Sequence, residues 1–179
     1  MEYITYKSNI DFFSIKIPYT VNSIDVDYQR IGYNLFENSL ILRNMKLHLI
    51  KETEMKRVYS IMVMNIESSI KKNKIKLALE NSVNKVTANA KVIKCEEHML
   101  NGFSAISVCT SQMNHNETIY SKIVLCIIHN IYYQLQVIAY NEKLIGDDAS
   151  NTFFNSFEYI KPKQSWCDSK LSTGVYNNN

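Results

Sequence analysis

Residues 119–140 read IYSKIVLCIIHNIYYQLQVIAY, and residues 153–157 read FFNSF. The first stretch is apolar and aromatic from Ile119 to Ile128, breaks at His129-Asn130, and resumes from Ile131 to Tyr140. Two such runs across a two-residue break predict a hairpin of long strands. Period two puts Ile131, Tyr133, Leu135, Val137 and Ala139 on one face of the second strand, and Tyr132, Gln134, Gln136, Ile138 and Tyr140 on the other. The first face reads as core, the second as a semi-polar, partly covered surface. FFNSF reads as the end of a short helix capped at Asp147 or Asp148, with Phe153, Phe154 and Phe157 buried and Pro162 as a stop.

Working outward, Lys91 to Glu96 and Phe103 to Thr110 add two more strands. Asn101-Gly102 and the segment Met113 to Asn116 supply their turns. Four consecutive strands with short connections predict an antiparallel meander. Before them, Ile75, Leu79, Val83, Val86 and Ala90 recur at spacings of three and four, which predicts an amphipathic helix within Ser68 to Ala90. Ser68, Ser69 or Asn73 would cap it. Lys71, Lys72, Lys74, Lys76 and Lys85 fall mostly off the apolar stripe and read as a solvated face.

Further back, Met45 to Lys51 and Arg57 to Met64 form a hairpin around Glu52-Thr53-Glu54. Met45, Leu47 and Leu49 share one face there, which leaves His48 pointing outward. Phe12 to Pro18 alternates as a half-buried strand. Tyr19 to Asn44 reads as a long, partly ordered excursion with a short strand near Leu40 to Leu42. The sum is an α+β protein, an antiparallel β-sheet flanked by a long helix and a short C-terminal helix. Residues 1–162 form the domain, and the polar segment 163–179 reads as a mobile C-terminal tail, with Trp166 as the one residue able to pin part of it back.

The chain has 179 residues, 46% hydrophobic and 21% charged, with a net charge of +3. This is ordinary for one globular domain. The charge is too slight for a nucleic-acid footprint, so no nucleic acid is expected as a partner. No transmembrane segment is expected, since no run reaches the ~20 apolar residues a spanning helix needs. No basic-then-apolar leader precedes Tyr6, so the expected location is cytoplasmic, or periplasmic if a leader has been trimmed. Cys95, Cys109, Cys126 and Cys167 include no CxxC pair, and register keeps neighbouring strand cysteines from facing each other. Free thiols are expected, the strand cysteines as small buried hydrophobes.

Four segments resemble the PsbP and Mog-type superfamily in order and spacing, over about Tyr3 to Ile160. They are Phe12 to Pro18, Leu100 to Phe103, Tyr132 to Val137 and Phe153 to Phe157. That group includes a photosystem II extrinsic subunit, a Ran-binding nuclear factor and many bacterial proteins of unknown role. DcrB-like lipoproteins and Eag-type secretion chaperones share its fold. The resemblance implies a PsbP/Mog-like α/β/α sandwich and is nearly silent on chemistry, since each segment is explained by strand burial, a turn or aromatic docking.

Catalytic signals are sparse. Cys95-Glu96-Glu97-His98 contains a metal half-site at most, with Cys95 and His98 as its candidates, and no metal or other cofactor is expected. Cys109 and Cys126 lie mid-strand, where thiols are inert. No Ser-His-Asp order or glycine-rich phosphate loop is present, so no catalytic residues are assigned. Tyr28 and Tyr33 in the excursion, with Tyr132, Gln134, Gln136 and Tyr140 on the outer sheet face, form the candidate binding surface, since exposed tyrosines favour interfaces. The expected function is a non-catalytic binding or adaptor domain acting on a protein partner. The alternatives are a small-ligand or metal-binding protein, and a chaperone holding a partner's hydrophobic helix.

Overall fold

The computed structural model describes residues 1–29, 33–36, 40–67 and 70–162, with side chains at 29–41 outside the described set. Eleven strands are described: β1 (Tyr3–Ser8), β2 (Phe13–Pro18), β3 (Ser23–Gln29), β4 (Tyr33–Phe36), β5 (Leu40–Glu52), β6 (Arg57–Ile66), β7 (Lys91–Leu100), β8 (Phe103–Asn114), β9 (Glu117–Ile128), β10 (Ile131–Ala139) and β11 (Glu158–Tyr159). Helix α1 (Lys72–Val86) precedes β7, and a 3-10 turn (Glu142–Ile145) and α2 (Asp148–Asn155) follow β10. The class is α+β, dominated by antiparallel sheet.

The main sheet has the order β3-β5-β6-β10-β9-β8-β7, with β4 also paired to β5. The meander β7 to β10 is as the sequence predicts. Its turns are two-residue connections, because Leu100 pairs with Phe103, Asn114 with Glu117 and Ile128 with Ile131. Asn101 (φ 50°) and Gly102 (φ 85°) both occupy the left-handed region, as a type I′ turn demands. The Asn101 amide then donates to the carbonyl of Phe157, tying this turn to the end of α2.

Each face of the main sheet has its own cover. On the inner face, β2 brings Phe13, Ile15 and Ile17 against Tyr133, Leu135, Val137 and Ala139 of β10, with Phe153, Phe154 and Phe157 completing the cluster. The predicted core face of β10 and the aromatic docking of α2 therefore stand. Asp147 caps α2 by accepting from the Ser150 amide at 2.9 Å. On the outer face, Ala78 and Leu79 of α1 pack on Ile106, Val108, Ile123, Leu125 and Ile127. Ile75, Val83 and Val86 are half-buried beside them. The predicted stripe from Ile75 to Val86 is thus the packing face, while Ala90 lies beyond the end of the helix. The helix starts after Lys71, with no side-chain cap, and Asn73 lies inside it. Ser68 and Ser69 fall outside the described residues.

Three readings are corrected. The segment Tyr3–Ser8, read only for a leader, is β1, paired with β2 in a second sheet of order β1-β2-β11. The excursion after Pro18 contains β3 and β4, hydrogen-bonded to β5. Within it Ile24, Val26 and Tyr28 alternate with Asp25 and Asp27 as strand residues do, and the three stay exposed because β3 is an edge strand. His48 does not point outward but is 2% exposed, on the inner face of β5. The tail 163–179, with Trp166 and Cys167, lies outside the described residues. No described helix is long and apolar enough to cross a membrane.

Candidate functional site

Strand β5 explains the first polar cluster. Asn44 takes a left-handed φ of 56° where the β5–β6 register shifts between Arg43 and Lys46. This bulge reverses side-chain parity. Leu42 and Met45 both reach the α1 side, after which Lys46, His48, Ile50 and Glu52 face the inner layer. His48 Nε2 lies 3.1 Å from Asp11 Oδ2 and its Nδ1 lies 2.7 Å from Tyr6 Oη. Lys46 Nζ sits 2.6 Å from Asp11 Oδ1, and the Ser8 hydroxyl donates to Asp11 Oδ2 at 2.8 Å. Tyr133 donates its hydroxyl to the Asp11 carbonyl at 2.7 Å. The chain Tyr6–His48–Asp11 resembles a catalytic relay in composition. Both ring nitrogens are engaged within the fold, so the imidazole holds the small sheet onto β5.

That chemistry makes a pH prediction. Burial alone would raise the Asp11 carboxyl, but hydrogen bonds from His48, Lys46 and Ser8, with the Lys46 charge, outweigh it and hold the pKa at about 2. A depressed folded pKa contributes stability above the unfolded value near 3.8, and loses it as pH falls toward about 2. The contribution is about 2 kcal/mol at neutral pH. Urea unfolding between pH 5 and about 2 should show this loss in the native chain and not in Asp11→Asn. An unchanged pH slope in the variant would refute the role given to this carboxylate.

A second buried cluster closes the other end of β5. Arg57 is 1% exposed; its Nε donates to Glu52 Oε2 at 2.8 Å and its Nη1 to Asp147 at 2.7 Å. Nη2 lies 2.7 Å from the same Glu52 oxygen but at an angle that makes no hydrogen bond. Thr20 supports the other Glu52 oxygen at 2.5 Å, and the guanidinium carbon stands 5.1 Å from the Tyr59 ring centre. Asp147 thereby caps α2 and anchors it to β6 through one carboxylate.

The predicted binding residues divide between two faces. Tyr28 pairs with Lys46 in register and so lies on the inner side of β3, half exposed, donating to Asn44 at 3.2 Å. Tyr33 is on β4, its side chain outside the described set. Tyr140 is half exposed beyond the end of β10. Tyr132, Gln134 and Gln136 stand in a row on the outer face of β10, and Tyr132 is buried, at 2% exposure, rather than displayed. Its hydroxyl donates to Gln134 Oε1 at 3.3 Å, and Gln134 Nε2 lies 3.5 Å from Gln136 Oε1. Tyr132 and Gln134 floor a half-open cleft of about 210 Å³, walled by Leu42, Met62, Met64 and Val86, with Ser82 and Lys85 at the helix side, and Gln136 continues the row beyond it. Sequence reasoning found the row but missed Met62, Met64 and Leu42, which join it only through pairing of β5, β6 and β10.

Other thiols and ligand candidates do not converge. Cys95 and His98 are three residues apart on β7 and point to opposite faces. Among the described residues no group of three or more His, Cys, Asp or Glu side chains could share a metal ion. Cys95 is exposed rather than buried, because β7 is an edge. Burial raises the half-buried Cys109 thiol and pushes the Cys126 thiol up to about 12. The fold and the cleft thus define an α+β sheet protein with an apolar, polar-floored groove beside its long helix. No protein-family model and no curated protein matches the chain.

Proposed function

We propose that this chain is a non-catalytic binding domain that accepts an apolar side chain of a protein partner in the cleft between α1 and the outer sheet face. The carrying observation is the pair Tyr132–Gln134 at the floor of that cleft, continued by Gln136 beside it. Three hydrogen-bonding side chains on a central strand are costly under a helix unless they serve one another or a ligand. Here their mutual bonds are long and the row opens to solvent at Gln136, which is half-buried. Flexible methionine walls suit an irregular apolar insert. Cavities of about 150 Å³ accept a benzene-sized group, whereas drug-sized ligands occupy roughly 300 Å³ or more. A cleft of about 210 Å³ therefore favours a side chain over a whole small molecule. A partner helix, about 10 Å across, would need α1 to move.

We also infer a PsbP/Mog-like arrangement, supported by the meander, the long helix before it and the aromatic α2. The inner layer departs from a pure α/β/α sandwich in carrying the sheet β1-β2-β11 beside α2.

The test is affinity capture from the source cells with the native chain and with Met62→Glu, followed by reconstitution of the captured protein with purified chain. The expected result is a stoichiometric complex weakened at least about tenfold by Met62→Glu, the size of a modest interface hot spot. Equal binding by the variant would contradict the cleft. Competition by a small metabolite with no protein captured would shift the reading to a small-ligand protein.

A further inference from the structure

The edge strand β7 points to a second copy of this chain. Every residue of β7 from Lys91 to Met99 is exposed, including Val92, Ile93 and Met99. Its inner neighbour is β8, and among the described residues nothing pairs with its outer side. Neither α1 nor α2 covers it: open clefts flank it on both faces, one toward Lys76 and Leu79, the other toward Phe154 and Asn155. A long exposed edge is a ready template for another strand.

The hairpin fixes which backbone groups are free. Leu100 and Phe103 close a two-residue type I′ turn and form its hydrogen-bonded pair, so Leu100, His98, Glu96 and Lys94 bond to β8. Met99, Glu97 and Cys95 alternate with them and turn their N–H and C=O outward. Antiparallel self-pairing must therefore place outward residues opposite one another. Centring the two-fold axis on Glu96 or Glu97 would set identical carboxylates face to face. Centring it on Cys95 sets Lys94 opposite Glu96 twice, on one face of the ladder. There the two side chains of one chain already pair at 2.8 Å, each more than half exposed, so that the contact joins two such pairs into one alternating cluster. Opposite charges across a ladder stabilise it and like charges oppose it. The other edge of the main sheet, β3, carries Asp25 and Asp27 and no cation, so it lacks this self-complementarity.

We propose that β7 pairs antiparallel with β7 of a second copy, in a two-fold register centred on Cys95 with Lys94 facing Glu96 of the partner. The bulge between Val92 and Lys94 ends the ladder on each side, so the contact is short and the dimer concentration-dependent. This closed, isologous contact leaves the α1 cleft open and stands independently of the binding role proposed for it.

Sedimentation velocity on the full chain, from micromolar to millimolar, tests it. The expected result is a monomer–dimer equilibrium that Lys94→Glu weakens by about tenfold or more, since two like-charged pairs are created. The charge swap Lys94→Glu/Glu96→Lys should restore the native value. A short bis-maleimide should trap a covalent dimer in the native chain and not in Cys95→Ser. A monomer throughout, a swap that fails to restore dimer, or open-ended growth would each overturn the proposal.

Discussion

Replacing Arg57 with alanine is expected to destabilise the protein by about 3–5 kcal/mol, the largest effect of any single charge change. The guanidinium is the only cation against Glu52 among the described ion pairs, and Glu52 is itself 1% exposed. Removing it leaves a buried carboxylate with only Thr20 and Tyr59 as donors and frees Asp147 from β6. The midpoint of thermal unfolding should fall by about 10 °C or more, given the size of the chain. The double change Arg57→Met/Glu52→Leu should cost less than the single one, because it removes the orphaned charge together with its partner. A double variant less stable than Arg57→Ala would show that the pair, rather than the avoidance of a bare carboxylate, is what stabilises this corner.

Phe153→Ala should cost a similar amount, about 3–5 kcal/mol, by the other route, a cavity. Phe153 is fully buried, with its ring centre 5.0 Å from Tyr59 and 5.3 Å from Phe154. It joins α2 to β6 at the same corner that Arg57 secures electrostatically. Ile24→Ala on the exposed edge β3 is the control and should stay within about 0.5 kcal/mol. Denaturant melts of the three proteins check this, and equal losses at Phe153 and Ile24 would mean that α2 contributes little to the inner core.

These two residues also mark how far the sequence could be read. Phe153 and Phe157 were legible because aromatic residues at helical spacing have one economical place to go, and the meander was legible because its turns carry their own chemistry at Asn101-Gly102 and His129-Asn130. Arg57, Glu52 and His48 were not. In β5 the apolar Leu47 and Leu49 are half-buried while the polar His48 and Glu52 are nearly sealed, so hydrophobicity pointed the strand the wrong way round. Only tertiary pairing reveals that Asp11 and Asp147, distant in sequence, complete those side chains. The segments β1 and β3 escaped for a different reason: both are edge strands held by backbone hydrogen bonds on one side, and the short alternation of Ile24, Val26 and Tyr28 with Asp25 and Asp27 sits inside a polar stretch. The candidate site was half visible. Tyr132, Gln134 and Gln136 share a face by simple alternation, but the methionine wall beside them depends on β6 lying next to β10.

The seven methionines offer the most direct test of the binding role. Methyl-labelled methionine spectra of the full chain, recorded alone and with the purified captured partner, separate Met62 and Met64 in the cleft from exposed Met55 and Met113 elsewhere. The cleft reading predicts that the Met62 and Met64 methyl signals shift or broaden on complex formation while Met55 and Met113 keep their positions. A complex that leaves Met62 and Met64 unchanged would contradict it.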